Sequence, residues 1–391
     1  MKWSSTVSTE PDLEDAIVEA VSRVRQVLGQ PPDLAAVFVS EHHRSGYDAL
    51  PGELVRRLGA RVVIGCSAGG VIGGGREVEQ EPGVSLTAAI LPGVELAGFH
   101  VADVEELTQP AWRRQLDRLS AAPDFLLLAD PFTFDVETLI RGLDAGFPAS
   151  AKVGGLASGG QQSGENVLYL SGKAHRAGCV GVALAGDVRV DTLVAQGCRP
   201  IGEPMFVTHR QGNVIFGLDG RPPLEVLQGI YAGLDRRDQE RFRHSLFVGL
   251  VMREKSEVYR QGDFLIRNIV GLDAERGTLA VGAAVSEGTV VQFHLRDAAT
   301  SAADLEEILS QLAPEQRSAT RGSLLFSCLG RGRHLYGRAD HDTDAFRRHL
   351  GDVPLGGFFC NGEIGPVHGT TFLHGYTSSF GLFRSRDRGS R

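Results

Sequence analysis

Val353-Pro354-Leu355-Gly356-Gly357-Phe358-Phe359-Cys360-Asn361-Gly362-Glu363-Ile364 reads as a buried strand that carries a glycine pair and breaks at an Asn-Gly turn. The pattern has a counterpart about half the chain earlier, Ala151-Lys152-Val153-Gly154-Gly155-Leu156-Ala157-Ser158-Gly159-Gly160. A third version runs from Arg61 to Ile64 and breaks at Gly65-Cys66-Ser67-Ala68-Gly69-Gly70. Each follows an apolar strand (34–39, 125–128, 323–326) and a helix (48–58, 136–143, 344–350), and each leads into further strands (84–91; 166–170 and 178–184; 371–373 and 379–383). The same order thus returns twice, and the spacing of the two Gly-Gly pairs predicts a duplicated domain with two related halves.

Outward from these repeats, Leu13, Ile17, Ala20, Val21, Val24 and Leu28 form one face of a first helix, with Thr9 as its expected cap and Gly29 as its stop. In the middle of the chain Pro222 and Pro223 open a helix, and strands read at 246–251, 264–269, 279–284 and 290–295. Many of these strands alternate apolar and polar residues, and Ser301-Ala302-Ala303-Asp304 reads as a capping box. Alternation with tight connections such as Glu287-Gly288 favours antiparallel pairing over a doubly wound parallel sheet. The expected fold is α/β, in α+β layers, with mixed, largely antiparallel sheets flanked by helices and two pseudo-repeated domains. The expected division is 1–220, 221–384 and a flexible tail over 385–391.

Composition narrows the function. Length alone suggests two or three domains at about 150 residues each. With 40 Lys and Arg against 48 Asp and Glu, the net charge is −8, which excludes a basic nucleic-acid binder and argues against adhesion to anionic lipid. No run reaches the length of a membrane helix and the N-terminus has no apolar secretion core, so a cytoplasmic location is expected. The 5 cysteines (Cys66, Cys179, Cys198, Cys328, Cys360) are odd in number and lack Cys-x-x-Cys spacing, so they read as free thiols. The 12 histidines show no ligand spacing, and no dinucleotide or P-loop pattern occurs; neither metal nor cofactor is expected.

Gly65-Cys66-Ser67-Ala68-Gly69 fits the G-x-S-x-G nucleophile pattern, but the Val71-Ile72-Gly73-Gly74-Gly75 that follows is a poor helix start, and an elbow without its helix lacks an oxyanion hole. Cys328-Leu329-Gly330-Arg331-Gly332-Arg333 follows a strand and offers glycine-freed amides and two guanidinium groups to an anion; the alternative is that these arginines pair with acids such as Asp340 or Asp342. Asp340-His341-Asp342-Thr343-Asp344 imitates a calcium loop without its glycine and terminal Glu, and reads as a helix N-terminus. In Cys360-Asn361-Gly362-Glu363 an amide and a carboxylate sit together on a tight turn, able to hydrogen-bond a small polar ligand; the alternative is an Asn-Gly turn with a solvated Glu. The candidate ligand contacts are therefore Cys328, Arg331, Asn361 and Glu363, with Cys66 and Ser67 second, and no catalytic set.

These residues carry a family resemblance. Ile64 to Gly70, Lys152 to Ser158, Ser327 to Gly332, Pro354 to Pro366 and Phe372 to Ser379 resemble the FIST-domain proteins, an N-terminal FIST domain followed by a FIST C-terminal domain, over nearly the whole chain. The resemblance implies a sensory, small-ligand-binding module of signal transduction, with amino acids and related metabolites as proposed ligands. Relatives often join such modules to output domains; here the two sensor domains use up the chain, so the signal would pass to a separate signalling protein. The family supplies no established catalytic residues. A cysteine-dependent enzyme acting on a small metabolite and a ligand-free interaction scaffold stay open as alternatives.

Overall fold

The computed structural model describes residues 1–391 except 109–111, 113, 115, 254–258 and 387–391; most of the expected tail therefore lies outside the described residues. The first repeat runs β1 (Lys2–Ser8), α1 (Leu13–Leu28), β2 (Leu34–Ser40), α2 (Leu50–Leu58), β3 (Val62–Ala68), β4 (Gly70–Gly73), β5 (Arg76–Glu79) and β6 (Val84–Ile90). The second comprises β7 (Val94–Val101), β8 (Asp124–Ala129), α3 (Val136–Gly146), β9 (Lys152–Leu156), β10 (Leu168–Leu170), β11 (Lys173–His175) and β12 (Cys179–Gly186).

A third opens with β13 (Arg189–Gln196) and is interrupted by an insert: β14 (Cys198–Gln211), β15 (Val214–Leu218), α4 (Pro223–Gly233), α5 (Arg236–His244), β16 (Leu246–Val251), β17 (Phe264–Asp273), β18 (Thr278–Val281) and β19 (Val290–Arg296). It resumes with α6 (Ala298–Ser310), α7 (Pro314–Ala319), β20 (Gly322–Cys328), α8 (Gly332–Tyr336), α9 (His341–Leu350), β21 (Leu355–Cys360), β22 (Glu363–Val367), β23 (Thr370–His374) and β24 (Thr377–Arg384).

The chain forms two units, a larger one of Met1–Val194, Glu306–Leu373 and Thr377–Arg391, and a smaller one of Ala195–Leu305 and His374–Tyr376. In the larger unit three six-stranded sheets share one strand order: β1-β6-β2-β3-β10-β11, β7-β12-β8-β9-β22-β23 and β13-β24-β20-β21-β4-β5. Each holds one parallel pair, β2 with β3, β8 with β9 and β20 with β21, among antiparallel neighbours, as expected for mixed, largely antiparallel sheets. Four strands of each sheet come from one repeat and the last two are a hairpin from another: β10–β11 completes the first sheet, β22–β23 the second and β4–β5 the third. The exchange closes on itself. The repetition seen in the sequence, in all three of its copies, is thus present.

All three exchanged hairpins use a two-residue loop with both residues at positive φ, Gly74-Gly75 (58° and 78°), Ser171-Gly172 (43° and 87°) and His368-Gly369 (53° and 82°). That is the turn geometry whose twist matches antiparallel strands. The parallel pairs are buried on both faces, and side-chain alternation sorts them: Leu34, Ala36 and Phe38 of β2 join Leu126, Leu128, Leu324 and Phe326 in one core common to the repeats. Ala35, Val37 and Val39 pack outward against Ala16, Ala20, Val24 and Leu54 of α1 and α2. Asp12, not Thr9, caps α1, its carboxylate accepting from the N–H groups of Glu14 and Asp15.

The smaller unit is a closed antiparallel barrel, β14-β15-β18-β17-β16-β19, filled by Val207, Ile215, Val248, Leu279 and Phe293. Asp297 takes the place of the expected Ser301 capping box, accepting from the N–H groups of Ala299 and Thr300, while the Ser301 hydroxyl donates to the Gly197 carbonyl. The 220/221 division expected from sequence falls inside this unit, between β15 and α4.

Candidate functional site

The turns that end β3, β9 and β21 meet one another. Ser158 donates to the Phe359 carbonyl and accepts from the Gly69 N–H, and its own N–H donates to Ser67 O at 3.2 Å. Leu156 N–H donates to Gly362 O at 2.9 Å and Asn361 N–H to Leu156 O at 3.1 Å. A Cβ at Gly159 would stand 2.6 Å from Ser67 Cβ, and one at Gly155 would stand 3.1 Å from Cys360 Sγ. These small residues are there because three backbones converge.

A polar cluster lies beside this junction in the third repeat. After β20 the chain turns at Leu329-Gly330 and Arg331 folds inward, its side chain 0% exposed. Its Nε donates to Asp342 Oδ2 at 2.9 Å and its Nη2 to Oδ1 at 3.2 Å, a two-pronged pairing, and its Cζ lies 5.5 Å from the centre of the Tyr336 ring. Asp342 also accepts from Ser378 Oγ at 2.7 Å and Ser327 Oγ at 3.3 Å and pairs with His341 Nδ1 at 3.0 Å. Burial alone would push the Asp342 carboxyl up; the Arg331 guanidinium overrides it and holds the group well below the usual carboxylate range. Arg331 Nη1 is buried with no acceptor among the described residues.

Glu363, the first residue of β22, is equally buried. Its Oε2 accepts from the Thr377 N–H at 3.0 Å and hydroxyl at 2.7 Å, and the Cys360 thiol donates to Oε1 at 3.4 Å. Burial outweighs those bonds and pushes the carboxyl up to about 7. Cys328 and Cys360 stand directly opposite in register on β20 and β21; Cys328 is half-buried, and burial together with the Glu363 charge pushes the Cys360 thiol up.

Of the six residues singled out from sequence, Cys328, Arg331 and Glu363 are gathered here, with electrostatic reach between them. Asn361 is exposed, and its amide donates to Ala157 O at 3.3 Å. Cys66 and Ser67 belong elsewhere: Ser67 Oγ donates to Asn166 Oδ1 at 3.2 Å and accepts from Val167 N–H at 3.0 Å, docking β10 on β3, while Asn166 Nδ2 donates to Asp130 Oδ1 at 3.0 Å. Burial pushes the Cys66 thiol well up, so neither it nor Cys360 is a ready thiolate nucleophile at neutral pH. Strand β4, not a helix, follows the G-x-S-x-G stretch.

Sequence reasoning passed over Thr377, Ser378 and Tyr336, whose types carry no signal alone, and Glu77, which reaches the cluster on the exchanged β4–β5 hairpin. Glu77 Oε1 accepts from Thr343 N–H at 2.8 Å, and burial, reinforced by the Asp342 charge, pushes its carboxyl up to about 8. A folded-state pKa above the unfolded one stabilises the fold fully below about pH 4.5, and this contribution is lost as pH rises through about 8, with a slope near 1.4 kcal/mol per pH unit between the two. Glu77→Gln keeps the acceptor for Thr343 and is expected to flatten this decline, with its largest gain over wild type at pH 8. Urea unfolding at pH 5, 6.5 and 8 checks this; an unchanged slope would refute the assignment to Glu77.

Among the described residues no group of three or more His, Cys, Asp or Glu is placed to hold a metal ion, and no helix is long and apolar enough to cross a membrane. The FIST N domain matches residues 33–221 and the FIST C domain residues 223–366. The uncharacterized protein Rv0628c of Mycobacterium tuberculosis is 39% identical over 384 residues, covering 98% of this chain and 100% of that protein. Uncharacterized protein Mb0898c of Mycobacterium bovis is 36% identical over 98% of this chain and 99% of its own. A more distant similarity, 22% over 350 residues, covers 76% of this chain and 65% of the F-box/LRR-repeat protein At5g63520 of Arabidopsis thaliana. With both domains matched in tandem and a relative similar from end to end, the chain belongs to the FIST family, whose domains are associated with sensory roles in signal transduction.

Proposed function

We propose that this protein is a cytoplasmic sensor that binds a small metabolite of the amino-acid class at the cluster of Cys328, Arg331 and Glu363, with Asn361 at its rim, and signals to a separate protein. The observation that carries the reading is Arg331 Nη1, a charged donor in a fully buried position with no acceptor among the described residues. A buried guanidinium edge of this kind suits a carboxylate. Asp342 already balances the Arg331 charge, and Glu363, with its carboxyl near pH 7, can take up or release a proton as a ligand ammonium group arrives. The cluster as a whole carries little net charge, which favours a zwitterion over a simple anion.

A thermal-shift screen against amino acids, small carboxylates and nucleotides tests this. A ligand present at 100 times its dissociation constant adds about 2.7 kcal/mol. Amino acids are expected to raise the unfolding temperature, and Glu363→Gln to weaken their binding about tenfold, the effect of losing one hydrogen bond to a charged group. A flat response to the panel would overturn the reading and favour the scaffold. Unchanged affinity in Glu363→Gln would remove Glu363 from the site.

A further inference from the structure

Two of the 5 cysteines face one another in the larger unit. Cys328 ends β20 and Cys360 ends β21, and the two are direct partners in that parallel pair. The residues two positions earlier show which way they point: Phe326 and Phe358 are partners in the same ladder, and their rings meet edge-on at 5.8 Å in the common core. Side chains two apart in a strand share a face, so Cys328 and Cys360 project from that same face. The Cys360 Sγ leans toward β20 and donates to the Ser327 carbonyl at 3.4 Å, on the peptide bond that leads into Cys328. Neighbouring strands lie about 4.8 Å apart. That is inside the Cα span of about 4.4–6.8 Å over which a disulfide closes.

The two thiols differ in what can reach them. Cys328 is the only cysteine of the 5 that is not buried, so an oxidant meets it first. Cys360 is fully enclosed: its Sγ packs on the bare Gly155, where a Cβ would stand at 3.1 Å, and donates to Glu363 Oε1 at 3.4 Å. Oxygen added to Cys360 would have to displace these neighbours, whereas a disulfide adds no atom. Glu363 is also placed to accept the proton that Cys360 must lose before it attacks, and a carboxyl pushed up to about 7 is a matched acceptor near neutral pH.

We propose that Cys328 and Cys360 form an oxidation-sensitive dithiol that closes to an intrachain disulfide in response to a hydroperoxide. The Cys328 sulfur attacks the terminal oxygen of the hydroperoxide and the O–O bond breaks. The alcohol, or water in the case of hydrogen peroxide, departs with the thiol proton, and Cys328 becomes a sulfenic acid. The Cys360 sulfur then attacks the Cys328 sulfur and gives its proton to Glu363. The S–O bond breaks, and the departing hydroxide takes that proton back from Glu363 to leave as water. Two thiols and one hydroperoxide thus give one disulfide, one alcohol and one water, the peroxide being reduced as the sulfurs are oxidised. Closure draws the ends of β20 and β21 together, a distortion that makes such a bond easy to reduce again. It also takes from Glu363 the thiol donor of the reduced protein. The dithiol does not depend on the cluster being a ligand site.

Hydrogen peroxide, added to the purified full chain, is the probe. Thiols titrated after unfolding are expected to fall by two of the 5, and a tryptic digest to show residues 322–331 joined to 349–384. The intact chain is expected to lose the mass of two hydrogens, and dithiothreitol to reverse all three changes. Cys328→Ser, a near-isosteric change at a half-buried position, is expected to remove the link and to slow thiol loss about tenfold. Cys360→Ala is expected to leave a dimedone-reactive sulfenic acid at Cys328; thermal unfolding checks that both variants fold. Glu363→Gln is expected to slow closure about tenfold with the first step unchanged. An unchanged thiol count, or thiol loss at an unchanged rate in Cys328→Ser, would overturn the proposal. So would oxidation of Cys328 to a sulfinic acid with Cys360 still reduced, or a link between two copies of the chain. Every readout is taken without a ligand, so a flat amino-acid screen would sink the reading of the Glu363 cluster and leave this one standing.

Discussion

Arg331→Met is expected to lower the unfolding free energy by about 3–5 kcal/mol, the cost of leaving a buried carboxylate without its cation. The size follows from the surroundings of Asp342. Both partners are essentially inaccessible, at 0% and 2% side-chain exposure, so water cannot replace the guanidinium. Of the remaining donors to Asp342, the Ser378 and Ser327 hydroxyls are neutral and do not restore the balance of charge. With Arg331 gone, burial dominates and the Asp342 pKa rises, so the deficit relative to wild type should grow from pH 5 to pH 7.5 as the carboxyl is forced to ionise. The second substitution Asp342→Asn removes the stranded charge and is expected to recover part of the loss. Denaturant unfolding of the single and double variants at both pH values measures this; a deficit under 1 kcal/mol with no pH dependence would show that the pair is not the buried anchor described above.

Gly154→Ala and Gly357→Ala form the second large expectation. A Cβ at Gly154 would stand 1.8 Å from the Leu127 carbonyl oxygen, and one at Gly357 would stand 1.8 Å from that of Leu325. In each case the obstacle is the backbone of the paired parallel strand, which no rotamer change can clear. The strands must separate, at a cost of about 3 kcal/mol or more, the upper end for overpacking. Gly142→Ala is the control. It lies in α3 with nothing within 4 Å of the added methyl and should stabilise the helix by up to about 1 kcal/mol. Melting temperatures of the three variants decide the matter, and equal behaviour at 142 and 154 would refute the close-approach account.

The same positions explain what could be seen in the sequence. Gly65, Gly154 and Gly357 occupy one register in the three parallel pairs, opposite Val37, Leu127 and Leu325. A glycine demanded by backbone contact recurs wherever the contact recurs, which is why the repeat was visible without an alignment. The hairpin exchange was not visible, because β4, β10 and β22 are only 4, 3 and 5 residues long and their partners lie far away in the chain. Short strands carry too few side chains to declare which edge they join. The candidate cluster was legible to the same degree. Gly330-Arg331-Gly332-Arg333 offers two equivalent arginines, and which one turns inward is decided by Asp342, a residue placed by α9 rather than by local sequence. Asn361 marked the turn correctly but faces solvent.

The closed exchange of hairpins also governs the order in which the chain can mature on the ribosome. The β4–β5 hairpin is made early, yet its partner strand β21 begins only at Leu355, roughly 280 residues later. At about 5–20 residues per second the nascent protein waits ~15–60 s with that hairpin and an open sheet edge unpaired. Until the third repeat emerges, none of the earlier ones can close the ring, so the burden on chaperones falls on the growing chain as a whole rather than on one domain at a time.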